Sequence, residues 1–314
     1  MENMKAVRVH NYGGPEVLGF EDSPRPTPGS GELLIRVHAA SVNPIDWKIR
    51  AGYMKDHIPL PLPFIPGWDV SGVVEAVGSG TTKFEKGDEV YARPDVTAHG
   101  FGSYAEYVVV KEIETALKPK SIDHVHAATI PVGAVTAWRA LFDAAGLKEG
   151  QKVLIHGAAG GVGSFAVQLA KWKGAYVIGT ASTRNQAFLR ELGVNEPIDY
   201  EKTRFEDVVH NVDVVFDPIG GDTQKRSWKT LKKGGILVSI VAPPSAEEAK
   251  KHDVRSAFLS AQGGSSLLGE LATLVDSGKI KPMVQTVLPL SEARQAHELN
   301  ETGHARGKIV LKVA

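Results

Sequence analysis

Apolar residues recur with a short period in the first third of the chain. Alternating or continuous apolar runs predict four short strands at 5–9, 33–41, 70–77 and 103–110. Proline-rich stretches at 24–29 and 59–67 separate them, and repeated proline removes the backbone donors that regular structure needs. This pattern predicts an all-β region with ordered loops.

A longer period begins near residue 118. Short apolar strands are predicted at 152–156, 176–181, 212–217 and 236–241, and helical patterns such as 162–173 and 185–192 lie between them. Strands spaced by helices favour right-handed crossovers and a parallel sheet. The chain returns to a strand pattern at 308–313. The predicted fold class is α/β, with a doubly wound parallel sheet and a second, mainly-β region.

Charge and composition exclude several classes of partner. The 314 residues carry 36 Lys and Arg against 36 Asp and Glu, so the formal net charge is zero. Because no block of like charge stands out, we expect neither nucleic acid nor an anionic membrane as a partner. The longest uncharged stretch, 153–170, contains four glycines and is not expected to span a bilayer. No apolar leader follows Met1, so we expect a cytoplasmic location.

Cysteine is absent from the chain. Its absence excludes disulfides, thiolate nucleophiles, iron–sulfur clusters and every zinc site that needs sulfur. The one close pair of histidines, His124 and His126, is interpreted as a solvated helix start and not as a metal site. We therefore predict no bound metal.

A glycine-rich turn separates a predicted buried strand from a predicted helix. The strand at 152–156 is followed at once by seven residues, 157–163, of which the candidate cofactor residues are Ala159, Gly160, Gly161, Val162 and Gly163. In this position unpaired backbone N–H groups and the helix dipole can hold a pyrophosphate, and missing side chains let it approach closely. The spacing departs from G-x-G-x-x-G, and a tight turn without a ligand is the alternative.

The end of the second strand of this series indicates which dinucleotide binds. An NAD site would carry Asp or Glu about 20 residues beyond the glycines, to accept from a ribose hydroxyl. This chain has Ser182 and Arg184 there, so no carboxylate in that segment repels a 2′-phosphate and Arg184 can pair with one. We predict NADP(H); a solvated arginine that caps the next helix is the alternative.

Several motifs together resemble one known family from end to end. They are SVNPID at 41–46, RAGY at 50–53, IPGWDVSG at 65–72, GSYAEY at 102–107, TA at 136–137, the glycine loop, and GKIVL at 307–311. The chain resembles the medium-chain dehydrogenase/reductase superfamily, in its zinc-free quinone oxidoreductase branch, similar to zeta-crystallin. The resemblance implies a GroES-like mainly-β substrate domain at 1–124 with 283–314, and a Rossmann NADP(H)-binding domain at 125–282.

The resemblance also implies a zinc-free site. Where zinc-dependent members carry a Cys ligand this chain has Asn43, and Trp68 with Asp69 replaces a His-Glu pair. Without a metal Lewis acid the suitable substrate is already electrophilic, a quinone or a conjugated enone or enal, and its reduced oxygen needs a hydrogen-bond donor. Tyr53 is the first candidate for that donor and Asn43 the second. Tyr53 as a pocket wall, with the proton coming from solvent, is the alternative.

Further cofactor residues follow from the same resemblance. They are Asn43, Thr136, Ile240, Val241, Phe258 to Ser260 and Lys308 near the nicotinamide end, and Tyr200 on the adenine side. The expected activity is NADPH-dependent reduction of a small-molecule quinone or enone. A 2-enoyl thioester reductase and a catalytically weak NADPH-binding sensor or structural protein remain alternatives. A homodimer is expected, through the apolar segment 265–275 or a sheet edge.

Overall fold

The computed structural model describes residues 2–259 and 265–314, and the chain divides into two compact units. Of these residues the first unit contains 2–132, 265–278 and 282–314, and the second contains 133–259 and 279–281. The sequence analysis divided the chain at 124/125 and 282/283 instead. Segment 265–278 packs in the first unit, where the Tyr91 hydroxyl donates to the Leu268 carbonyl at 2.5 Å. Likewise, the Ser121 amide donates to Asp276 Oδ1 at 2.8 Å.

Two sheets make up the first unit. Their strands are β1 (Asn3–Val9), β2 (Leu18–Pro24), β3 (Glu32–Val42), β4 (Val70–Val77), β5 (Glu89–Ala92), β6 (Tyr107–Lys111), β7 (Thr115–Leu117), β14 (Val284–Pro289) and β15 (Lys308–Lys312). β1 pairs with β2, and the others form one sheet in the order β14-β15-β3-β4-β5-β7, with β6 also on β3. The alternating Leu33, Ile35 and Val37 of β3 are fully buried in its core.

Short helices connect these strands. They are α1 (Pro44–Arg50), α2 (Val96–His99), α3 (His124–Ala127), α10 (Ser265–Asp276) and α11 (Ala293–Glu301), with 3-10 turns at Pro15–Val17, Glu112–Glu114 and Leu290–Glu292. The segment 265–275 was predicted as one of two possible dimer surfaces, and it stays a prediction. Its apolar side chains Leu268, Leu271, Leu274 and Val275 are buried inside the first unit.

One parallel sheet forms the second unit. Its strands are β8 (Lys152–Ile155), β9 (Tyr176–Ala181), β10 (Glu196–Asp199), β11 (Val212–Asp217), β12 (Leu231–Ser239) and β13 (Arg255–Phe258). Their order is β10-β9-β8-β11-β12-β13, and every neighbouring pair is parallel. This is the Rossmann order, whose direction reverses between β8 and β11 and leaves a crevice at their carboxyl ends. The predicted α/β fold class is confirmed.

Helices link the strands of the second unit. They are α4 (Ile130–Trp138), which begins in the first unit and continues into a π-helix at Arg139–Ala144, then α5 (Gly161–Trp172), α6 (Gln186–Glu191), α7 (Phe205–Val208), α8 (Gly221–Ser227) and α9 (Ala246–Lys251), with 3-10 turns at Thr183–Asn185 and Trp228–Thr230. α5 buries Phe165, Ala166 and Leu169, the apolar spacing that predicted it. Across 2–259 and 265–314, no helix is long and apolar enough to cross a bilayer.

Two predicted strands begin more than two residues away from where the structure places them. The run 103–110 becomes β6 only from Tyr107, because the Tyr104 amide donates to the Pro66 carbonyl at 3.0 Å and holds this part in a loop. The run 236–241 extends back to Leu231 and stops at Ser239. Ile240 and Val241 therefore lie in the turn after β12.

Candidate active site

Most predicted cofactor residues lie in loops at one edge of the parallel sheet. The glycine loop follows β8, Ser182 and Arg184 follow β9, Tyr200 follows β10, Ile240 and Val241 follow β12, and Phe258 ends β13. Because the strands are parallel, all these positions share the carboxyl edge, where doubly wound sheets bind ligands. Thr136 lies on α4 and is largely buried, and Ser260 lies outside the described residues.

The glycine loop has the geometry of a pyrophosphate cradle. Gly157 has φ of 55°, a left-handed conformation that a residue with a side chain rarely adopts. A Cβ at Gly163 would stand 2.2 Å from the Gly157 carbonyl oxygen, so the close approach of loop and helix requires glycine. Gly160 is the N-cap of α5 and, as a glycine, has no side chain to cap that helix start. Its first N–H groups therefore face the loop, which fits a phosphate ligand.

Two carboxylates from the neighbouring strand stand beside the predicted 2′-phosphate site. The Tyr200 amide donates to the Ala181 carbonyl at 3.2 Å and brings the end of β10 against the end of β9. The Thr183 amide donates to Glu201 Oε2 at 3.0 Å, and its hydroxyl donates to Asp199 Oδ2 at 2.6 Å. The segment after β9 itself has no carboxylate, as the sequence shows, and these two acids come from the end of the neighbouring strand β10.

In the first unit, three strand ends bring together a buried polar cluster. Asn43 follows β3, Asp69 precedes β4 and Lys308 begins β15, and these strands are neighbours in the sheet. Lys308 Nζ donates to Asn43 Oδ1 at 2.5 Å and to Asp69 Oδ2 at 3.1 Å, and Asn43 Nδ2 donates to the same Asp69 oxygen at 2.8 Å. The Ser41 hydroxyl also donates to Asp69 Oδ2, at 2.5 Å. We call Ser41, Asn43, Asp69 and Lys308 the Asp69 cluster; all four are buried.

A tight turn fixes Asp69 at the start of β4. Gly67 has φ of 108°, and a Cβ there would stand 2.4 Å from Ser103 Oγ. That hydroxyl donates to the Asp69 carbonyl at 2.6 Å, and the Ser103 amide donates to the Gly67 carbonyl at 3.1 Å. The Pro-Gly pair of the sequence motif therefore lets 66–69 lie against 102–104 and sets the direction of the Asp69 side chain.

A second buried chain of polar groups ends at the Asn43 backbone. Asp46 Oδ2 accepts from the Asn43 amide at 2.7 Å and from the Tyr104 hydroxyl at 3.2 Å. His297 Nε2 lies 3.3 Å from that hydroxyl, and its Nδ1 lies 3.2 Å from Arg50 Nη1. Arg50, 1% exposed, also donates to Glu301 Oε1 at 2.6 Å. This series of hydrogen-bonded side chains joins α1 to α11.

Burial controls the protonation of Asp46 and His297 in this series of side chains. Desolvation raises the pKa of Asp46 to about 7, and hydrogen bonds such as that from the Asn43 amide oppose the shift only in part. Desolvation lowers the pKa of His297 to about 3, and the nearby Arg50 charge acts in the same direction. His297 is therefore neutral at physiological pH and accepts from Arg50 through Nδ1.

Comparisons with known proteins place the whole chain in one family. The family described as "Alcohol dehydrogenase GroES-like domain" matches 29–120, and that described as "Zinc-binding dehydrogenase" matches 192–311. The chain is 38% identical to "NADPH-dependent alkenal/one oxidoreductase, chloroplastic" of Arabidopsis thaliana, over 99% of this chain and 80% of that protein. The chain belongs to the quinone oxidoreductase branch of the medium-chain dehydrogenase/reductase superfamily.

Solved structures of this oxidoreductase branch agree along the full chain. The quinone oxidoreductase from Coxiella burnetii is 39% identical, covers 100% of both chains and has a TM-score of 0.92. A mycobacterial protein complexed with NADPH is 32% identical, with 98% of this chain and 99% of that chain covered and a TM-score of 0.88. The GroES-like and Rossmann parts implied by the resemblance are therefore both confirmed.

Tyr53, the first candidate catalytic residue of this oxidoreductase, is exposed to solvent, whereas the residues of the Asp69 cluster are buried. Its side chain is 73% exposed, and its ring meets Trp47 edge-on with 6.0 Å between centroids. Trp68, another aromatic of the family motifs, is buried in a hydrophobic core with Phe64 and Val96. The structure thus joins Asn43 to Lys308 directly, while the Tyr53 ring lies on the surface of the first unit.

Sequence reasoning missed the roles of two residues in this oxidoreductase, Asp217 and Asp69. Asp217, fully buried at the end of β11, accepts from the amides of Ile219 at 3.0 Å and Gly220 at 2.8 Å and shapes the loop beside the glycine turn. Asp69 was noted only as a replacement for a zinc-family residue. The strand at 212–217 ending in Asp-Pro was the available signal for the first, whereas a pairing of Asp69 with Lys308 has no local signal. In 2–259 and 265–314, no group of three or more His, Asp or Glu could hold a metal.

Proposed function

We propose that this oxidoreductase uses NADPH to reduce quinones or conjugated enones and enals, by hydride transfer and without zinc. The similarity along the whole chain to an alkenal/one oxidoreductase and to a quinone oxidoreductase carries the substrate class. The strand–glycine loop–helix unit at the crevice of the parallel sheet supports the dinucleotide. A cytoplasmic location and a homodimer through 265–275 or a sheet edge remain predictions of the sequence.

The chain offers residues for each part of NADPH. The backbone of Ala159, Gly160, Gly161, Val162 and Gly163 would hold the pyrophosphate, and Ser182, Arg184 and Tyr200 would flank the 2′-phosphate. The residues proposed for the nicotinamide end, as the family resemblance implies, are Asn43, Thr136, Ile240, Val241, Phe258 and Lys308. The preference for NADPH over NADH rests on Arg184, because charge-assisted hydrogen bonds contribute about 1.5–3 kcal/mol each.

The bound dihydronicotinamide supplies hydride to an acceptor that is already electrophilic. The residues of the chain then have to stabilise the negative oxygen that develops on the acceptor. Asn43 retains one amide hydrogen beyond the one it gives to Asp69, so it can donate to that oxygen. Tyr53 is the proposed proton donor, reached from solvent at the surface of its unit.

Steady-state oxidation of NADPH across an acceptor panel tests this function. We expect turnover with quinones, enals and enones and less with 2-enoyl thioesters. Gly163→Ala should abolish dinucleotide binding, because its Cβ would stand 2.2 Å from a backbone oxygen, whereas Gly269→Ala, with nothing within 4 Å, is the matched control. NADPH binding without turnover on any acceptor would instead favour a sensor or structural protein.

A further inference from the structure

The Asp69 carboxylate is saturated with hydrogen bonds although it contacts no solvent. Oδ2 accepts from the Ser41 hydroxyl at 2.5 Å, from Asn43 Nδ2 at 2.8 Å and from Lys308 Nζ at 3.1 Å. Oδ1 accepts from the Val132 amide at 2.6 Å. Asp69 is 0% exposed and Lys308 5% exposed, so the pair holds opposite charges away from water. Such a pair is retained in a fold only with most of its donors and acceptors satisfied.

These contacts determine which way the Asn43 amide faces. Its nitrogen lies against a carboxylate and its oxygen against an ammonium group. The opposite orientation would set a carbonyl oxygen against the Asp69 carboxylate and an amide nitrogen against Lys308, and both contacts would be repulsive. Asn43 therefore commits its oxygen to Lys308 and keeps one N–H for a further acceptor.

The same carboxylate contacts two of the residues proposed to surround the nicotinamide. It accepts from Asn43 and Lys308 directly, and through Oδ1 it also accepts from the Val132 amide in the first turn of α4. Among the described contacts, Lys308 uses two of its three ammonium hydrogens, which leaves one for a ligand.

We propose that Asp69 is the positioning residue of this site: its carboxylate sets Asn43 as a donor and holds the Lys308 ammonium beside it, so that both stabilise the reduced oxygen of the acceptor. This inference rests on the proposed function. Asp69 itself has no hydrogen to donate and acts through its neighbours. Its charge also keeps Lys308 from being a buried cation without a counter-charge.

The test compares two acceptors in one enzyme preparation. An enone develops its negative charge on one oxygen, whereas the reduced oxygens of a quinone are stabilised by aromatisation, so enone reduction depends more on the two donors. The measured quantity is the ratio of kcat/KM for an enone to kcat/KM for a quinone. A loss of folded protein lowers both values equally and leaves the ratio unchanged.

We expect Asp69→Asn to lower this ratio by about tenfold or more, because the NH2 group of the amide would face either the Val132 amide or the donors of Asn43 and Lys308, and because a neutral amide does not balance the Lys308 charge. Ser71→Ala removes a fully buried hydroxyl from the adjoining strand β4, where it donates to the Val90 carbonyl at 3.0 Å, and is the matched control with an unchanged ratio. In a Lys308→Met background Asp69→Asn should lower the ratio by a smaller factor than it does in the wild type, since the two residues act together.

An unchanged ratio in Asp69→Asn, or effects of Asp69→Asn and Lys308→Met that simply multiply, would overturn the proposal. If Asp69→Asn does not fold, the double variant Asp69→Asn/Lys308→Met removes both charges together, and a wild-type ratio there would overturn it equally. A wild-type enzyme without turnover on either acceptor would instead refute the proposed function.

Discussion

Asp46 makes the stability of the first unit depend on pH in a way that one substitution removes. Desolvation raises its pKa from 3.8 to about 7, and Asp46 Oδ1 has no hydrogen-bond partner among the residues the structure describes. Ile49, Leu60, Phe64, Pro66, Trp68 and Val96 line the small apolar space beside it. The folded state therefore favours the protonated carboxyl.

The sign and size of the effect follow from this shift. Because the folded state binds the proton more tightly than the unfolded state, its contribution to stability is fully present below about pH 4 and is lost as pH rises to about 7. Each pKa unit corresponds to about 1.4 kcal/mol, so the whole loss is about 4 kcal/mol. His297, with a pKa lowered to about 3, has the opposite sign: its contribution is lost as pH falls below its ordinary value.

Asp46→Asn should therefore remove the pH dependence that Asp46 gives to the free energy of unfolding and leave the dependence due to other groups. Urea unfolding, followed by tryptophan fluorescence at a series of pH values, gives the free energy of unfolding of wild type and variant. The wild-type value minus the variant value should fall by about 1.4 kcal/mol per pH unit between about pH 4 and about pH 7, because the His297 contribution cancels. Asp22→Asn, an exposed aspartate paired with Lys5 at 3.0 Å, is the control. Parallel profiles of wild type and Asp46→Asn would refute the reasoning.

Four further outcomes are expected at the site. Arg184→Ala should weaken NADPH binding by about tenfold or more and hardly change NADH binding. Glu201→Gln should strengthen NADPH binding, since it removes a negative charge beside the proposed 2′-phosphate site. Isothermal titration measures both affinities, and an unchanged preference for NADPH in Arg184→Ala would refute the role of Arg184. If the Tyr53 hydroxyl donates the proton, Tyr53→Phe should lower enone turnover about 10²-fold and leave NADPH affinity unchanged. If the variant keeps both its turnover and its NADPH affinity, the proton comes from solvent. Dialysis against a chelator should leave activity intact, and stoichiometric zinc in an elemental analysis would contradict the zinc-free assignment.

Local features of the chain predicted nine of the described strands and the glycine loop. The bounds of β4, β9 and β11 coincide with the predicted runs at 70–77, 176–181 and 212–217, because each is a compact apolar segment. The strands β2, β5, β7, β10, β13 and β14 were missed; of these, β10 and β13 are short edge strands with few apolar residues. The glycine loop was found because strand, turn and helix are contiguous in sequence.

Contacts between distant segments were beyond sequence reasoning. Asn43 and Lys308 are 265 residues apart in sequence and meet only because β15 pairs with the end of β3. Glu201 reaches Thr183 only because β10 is the neighbour of β9. Neither pairing has a periodic signal, so the residues were predicted one by one and their partners were not.

The most direct test of the account follows a labelled hydride. NADPH carrying deuterium at both hydrogen positions of C4 of the dihydronicotinamide is oxidised with a conjugated enone, and the product is examined by mass spectrometry and NMR. Direct transfer predicts one deuterium on the carbon β to the carbonyl, with the added proton taken from water. Product without deuterium, formed at the rate of NADPH oxidation, would contradict hydride transfer to the enone.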